Sequence, residues 1–197
     1  MRNYINIALF LIFLNSCKAQ SPVLDINTPK ENFIGVKGAY YKDTKNVLNG
    51  YDGTYVYTNG TTSLKIKLQK NIKTSMNNFY YEDLVVGEYQ YIVNGVEKVN
   101  TFNRLTPTSN NNNIRGGMVL TGTELGCDDC RPDEQRLRLG FKSSPQVGEI
   151  DIRKTTVNGK AAIIAEIWYV GPMAVKEGEP KPKPAAIKGG TYLMIKQ

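Results

Sequence analysis

The sequence predicts an all-β chain: an antiparallel up-and-down meander that closes into a barrel or a closely related sandwich. Two observations carry this. Apolar residues alternate with polar ones in run after run, with little of the 3.6-residue periodicity of helices. Asn-Gly pairs at 49–50, 59–60, 94–95 and 158–159 punctuate the runs, and three of the four stand between strand-like stretches.

Taken from the N-terminus, Arg2 is the only charge before an apolar run from Tyr4 to Leu14. At about ten residues, the run is half the roughly 20 that a membrane-spanning helix needs. Charge followed by a short oily run reads as a signal peptide, assigned to residues 1–16. At its end, Leu14-Asn15-Ser16-Cys17 resembles a bacterial lipobox, in which the cysteine is acylated and becomes the new N-terminus. Cys17 is therefore the expected lipidation site, and ordinary secretory cleavage after Ala19 is the competing reading. Several acyl chains at about 0.8 kcal/mol per buried methylene would anchor the chain firmly to a membrane. Residues 17–48 are then a lipidated N-terminus, a spacer and a segment that wraps the sheet, and 49–197 are one antiparallel β domain.

Within that domain, "SLKIKLQK" alternates Leu64, Ile66 and Leu68 with Lys65, Lys67 and Gln69. "RLRLGFK" does the same with Leu137, Leu139 and Phe141, and "EIDIRK" with Ile150 and Ile152. Such alternation marks a strand with one buried face. Three hairpins follow, turning at residues 59–60, 94–95 and 158–159, because Asn-Gly adopts the positive φ values of a type I′ turn. A fourth pairs "GGMVLTGTEL" with "QRLRLGFK", and "TYLMIK" adds a last strand, about nine in all. Two stretches read as surface loops: the Asn-rich 106–117, and 171–190, where alternating Pro180, Pro182 and Pro184 predict extended chain outside the sheet.

Gly53-Thr54-Tyr55 at the start of the domain and Ile195-Lys196-Gln197 at its end resemble the first and last strands of a family of small exported Bacteroidota lipoproteins of unknown function. Related lipoprotein families look like lipocalins, with Gly-x-Trp or Gly-x-Tyr on the first strand closing the barrel bottom. The resemblance implies a lipocalin-like barrel and transfers no active site.

The chain has no histidine, which removes Ser-His-Asp and Cys-His catalysis and imidazole zinc sites. No catalytic residue, metal or cofactor is expected. Cys127 and Cys130 in "CDDC" suit a disulfide in an exported protein, with a redox pair or a metal site as rivals. Asp128, Asp129, Asp133 and Glu134 read as a solvated acidic loop, since the spacing of a calcium-binding loop is absent. Tyr55, Tyr57, Tyr89 and Tyr91 are candidates for lining a small apolar-ligand pocket, although strands favour aromatics without any ligand.

The net charge of +7 is interleaved with acids and reads mainly as solvated surface. Nucleic acid is not an expected partner, because export removes the chain from it. The functional expectation is a non-catalytic envelope lipoprotein, anchored through its acyl chains to the periplasmic face of the outer membrane, that binds a small apolar or amphipathic ligand. The alternative is a structural or protein-interaction module for an envelope partner, using loops 106–117 and 171–190.

Overall fold

A closed eight-stranded barrel follows from the alternating runs. The computed structural model describes residues 20–30, 34–106, 111–170 and 183–197. In chain order the strands are β1 (Val23–Asp25), β2 (Tyr40–Lys42), β3 (Gly53–Asn59), β4 (Thr62–Met76), β5 (Tyr80–Val93), β6 (Val96–Asn100), β7 (Ile114–Thr121), β8 (Gln135–Ser143), β9 (Gln146–Val157), β10 (Lys160–Tyr169) and β11 (Gly190–Lys196). There is no α-helix among the described residues. The barrel runs β3-β4-β5-β7-β8-β9-β10-β11 and returns to β3, every neighbour antiparallel. This is a lipocalin-like, up-and-down order.

The predicted alternation sets the inside of the barrel. Leu64, Ile66, Leu68, Leu137, Leu139, Phe141, Ile150 and Ile152 are all buried in one core. Eight strands enclose a space that side chains can fill or that can hold one small ligand. Here large side chains occupy it. Leu48 and Tyr51, on a 3-10 turn spanning Val47–Tyr51, close the end where β3 begins, called the lower end. Ile187 closes the upper end.

Asp43 builds the lower plug. Its buried carboxylate accepts from Val47 N and Leu48 N at 2.8 and 2.9 Å, serving the free amides that open the 3-10 turn, and from Lys70 Nζ at 2.8 Å.

Two of the three Asn-Gly hairpins turn as expected. Asn94-Gly95 and Asn158-Gly159 each have positive φ at both residues, between Val93↔Val96 and Val157↔Lys160. The third is displaced by one residue. Asn59 ends β3 opposite Thr62, so the loop is Gly60-Thr61 with positive φ only at Gly60, the requirement of a type II′ turn. Asn49-Gly50 lies in the 3-10 turn.

The described residues form eleven strands, where the sequence predicts about nine. One addition to the reading is the β4–β5 hairpin, whose αL positions are Asn77 and Asn78 in place of Asn-Gly. Another lies in 17–48, which supplies β1 and β2. β1 pairs in parallel with β2, and β2 in parallel with the start of β5, forming a flange beside the barrel.

Both predicted loops need correction. Ile114–Gly117 belongs to β7, with Ile114 fully buried, because β7 must reach β5 to close the barrel; residues 107–110 lie outside the described residues. In 171–190, residues 171–182 lie outside the described residues, Ile187 enters the core, and Gly190 already belongs to β11. Glu88, fully buried, accepts from Asn113 N at 3.1 Å and Asn113 Nδ2 at 2.7 Å, pinning the chain where β7 takes over the β5 edge from β6.

Candidate functional site: a cleft on the barrel flank

The four tyrosines singled out in the sequence all point into the barrel. Tyr55 donates from its hydroxyl to Tyr51 O at 3.2 Å near the lower end, and Tyr89 donates to Lys142 O at 2.8 Å near the upper end. Tyr57 meets Tyr192 edge-on at 5.0 Å, and the Tyr89 ring lies 5.4 Å from Phe141. Tyr91 is buried in the same core. Their ring faces are thus used in packing.

The upper end is sealed by a short strap. Ile187 N donates to Ser143 Oγ at 3.2 Å, Tyr169 Oη to Ile187 O at 2.8 Å, Tyr192 Oη to Lys188 O at 2.6 Å, and Gln146 Nε2 to Lys183 O at 2.9 Å. Burial pushes Tyr169 and Tyr192 up to about 12. At the lower end, burial raises Tyr55 to about 12.

A cleft of about 750 Å³ lies outside the barrel wall. Strand pairing creates it. β7 touches β5 over only three residue pairs, Val85↔Gly116 to Gly87↔Ile114, and below them β5 pairs with β2 instead. The flange and β7 therefore diverge. The segment Ile26–Lys30 crosses the opening, with Tyr80 and Glu82 on one side and Arg138 and Glu149 on the other.

Glycines keep this region shallow. A Cβ at Gly117 would press on Asp83 O at 3.1 Å and Ile26 Cδ1 at 3.2 Å, so a side chain there would push the N-terminal segment or β5 back by a few tenths of an ångström. A Cβ at Gly140 would have only Arg115 O nearby, at 3.4 Å. Gly140 is thus bare backbone facing the cleft.

Two cation–carboxylate groups frame the space. Lys30 Nζ is 2.8 Å from Glu82 and lies 4.8 and 5.3 Å from the centres of the Tyr41 and Tyr80 rings. Opposite it, Arg138 Nε is 2.8 Å from Asp151 and 3.5 Å from Glu149, and its guanidinium stacks 4.8 Å over Trp168. Burial, and then Glu82, raise the Tyr80 phenol. Between these groups Met118 and Leu125 are 48% and 62% exposed. An apolar strip between charged ends suits a ligand with an apolar body and polar ends.

These cleft residues were not legible as a site in the sequence. Lys30, Glu82 and Arg138 are far apart along the chain and meet only through barrel closure. Gly116-Gly117, a pair of poor strand formers inside a strand, is the one local signal.

Cys127 and Cys130 form a disulfide at the tip of the β7–β8 connection. Their sulfurs and Asp129 make up a group of three potential metal ligands among the described residues, but the S–S bond occupies both sulfurs. The acidic loop is partly paired: Asp129 accepts from Arg153 at 3.1 Å, Glu134 lies 4.0 Å from Arg153, and Asp133 lies 3.9 Å from Arg131 on the surface. Cys17 lies outside the described residues. No described helix is long and apolar enough to cross a membrane.

Residues 1–197 match a family of unknown function, DUF6705. The chain belongs to that family. No curated protein and no solved structure matches it.

Proposed function

We propose that the chain is a non-catalytic, envelope-anchored binding protein, acylated at Cys17 on the periplasmic face of the outer membrane, that holds a small amphipathic ligand in the flank cleft. The observation that carries this reading is the contrast between a lumen packed with side chains and a cleft of about 750 Å³ with an apolar strip between ionic ends. Clefts of roughly 300–1,000 Å³ are the usual size for small-molecule sites. The signal-peptide layout and the lipobox-like junction at Cys17 support the anchor.

Gly140→Leu tests the site, since its side chain would enter the cleft with little else to displace. A dansyl-labelled fatty acid is the probe, read by fluorescence enhancement. The wild-type chain should bind it, and Gly140→Leu should weaken binding about tenfold or more, equal to about 1.4 kcal/mol, with an unchanged melting curve. Equal binding by both proteins would refute the cleft as the site.

A further inference from the structure

We infer that one face of the lower flange docks on the surface of the lipid bilayer to which Cys17 anchors the chain; the inference rests on that acylation. The register Val23↔Tyr40↔Tyr81 puts these three side chains on one face of the flange, and the opposite face presents Tyr41 and Glu82 toward the cleft. On the docking face Val23 is 60% and Tyr81 39% exposed. Ile72, on the bulge that interrupts β4, is 71% exposed, and Phe79, in the turn entering β5, is 39% exposed.

The chemistry matches the interface of a membrane. Lys73 Nζ sits 5.7 Å from the Tyr40 ring centre and 5.5 Å from that of Tyr81, so a cation lies beside aromatic and aliphatic side chains, as at headgroup level. Two carboxylates share this face: Asp25, two residues after Val23, is half-buried, accepts from Asn27 N at 2.9 Å and from Thr44 Oγ1, and stands in register with Lys42, whereas Asp83 is buried and occupied. Asp83 accepts from Tyr40 Oη at 2.6 Å, Lys73 N at 2.9 Å and Asp43 N at 3.0 Å, so it offers anionic headgroups little exposed charge.

Chain length supplies the second argument. Pro22 O accepts from Tyr40 N at 2.8 Å, which ties the start of the described chain to this strand. Cys17 precedes Gln20 by three residues, a span of at most about 10 Å. Acyl chains on Cys17 would therefore enter the bilayer within about 10 Å of Gln20, beside this face.

The test uses the full acylated protein, its acyl mass read by intact mass spectrometry, in phosphatidylethanolamine and phosphatidylglycerol vesicles brominated high in the acyl chains. Tyr81→Trp is compared with wild type, which reports Trp168 alone. The tryptophan placed at position 81 should be blue-shifted and quenched to about half, as expected of a side chain inserted roughly 5–10 Å into the headgroup boundary. Adding Ile72→Asp should reduce that quenching. An acylated chain whose position-81 emission is water-like and unquenched overturns docking and leaves the anchor standing. A chain with no acyl mass overturns both.

Discussion

Asp151 is where the structure predicts the sharpest response to a single substitution. Its carboxylate accepts from Arg136 Nη1 at 2.6 Å and from Arg138 Nε and Nη2 at 2.8 and 2.9 Å. Arg138 can fall back on Glu149 and on partial exposure, since its side chain is 16% exposed. Arg136 has no second acid: it is 3% exposed, its Nη2 donates only to the neutral carbonyls Gly122 O and Glu124 O, and its Nε lacks a partner. Asp151→Leu therefore leaves a buried, uncompensated guanidinium, a change that costs about 3–5 kcal/mol. At about 2–4 °C per kcal/mol for a domain of this size, the midpoint should fall by about 6–20 °C.

Arg136→Met leaves Asp151 still paired with Arg138, so the loss is nearer that of charged hydrogen bonds, about 1–3 kcal/mol. The double variant removes the orphaned charge and should be more stable than the sum of the single costs implies. Urea unfolding measures this as shifts in midpoint at constant slope. A cost below about 1 kcal/mol for Asp151→Leu, or simple additivity in the double variant, would refute the view of Arg136 as a buried charge held by one acid.

Two further outcomes follow from the barrel interior. Ile187→Ala should destabilise the domain by about 2–5 kcal/mol and open the upper end, read as a lower melting temperature and increased binding of a hydrophobic dye; unchanged values for both would mean that the strap does not seal the lumen. The raised tyrosines give a pH dependence at the alkaline side. Folding favours the neutral phenols of Tyr55, Tyr169 and Tyr192, near 12 in the fold against about 10 in the unfolded chain. Their contribution is therefore complete below about pH 10 and declines as pH rises from 10 to 12. Phenolate absorbance should show these rings ionising late or together with unfolding, whereas a single transition of all twelve tyrosines near 10 in the folded chain would contradict it.

Much of the barrel is written locally. Period-2 alternation fixes which side chains face inward, so Leu64, Ile66, Leu68, Leu137, Leu139 and Phe141 are assigned to the core from sequence alone. The φ requirement of a two-residue hairpin likewise assigns the turns at Asn94-Gly95 and Asn158-Gly159. The same rule misplaces the first hairpin by one residue, because a glycine can open a type II′ turn as readily as it can finish a type I′ turn.

What the tertiary structure decided is non-local. Ile114 and Ile187 sit in stretches whose composition is that of loops, and only barrel closure at β5 and at the upper end buries them. The tyrosines read as lining a pocket turn inward and join the core, Tyr57 against Tyr192 and Tyr89 against Phe141, because the inward positions of this barrel carry large side chains that meet across the lumen. The cleft takes its place on the outside, where β5 exchanges β7 for β2 and brings Lys30, Glu82 and Arg138 to one opening. A strand's own alternation records which side of it is wet. It carries no record of which distant strand it will meet, and in this protein that pairing sets the site.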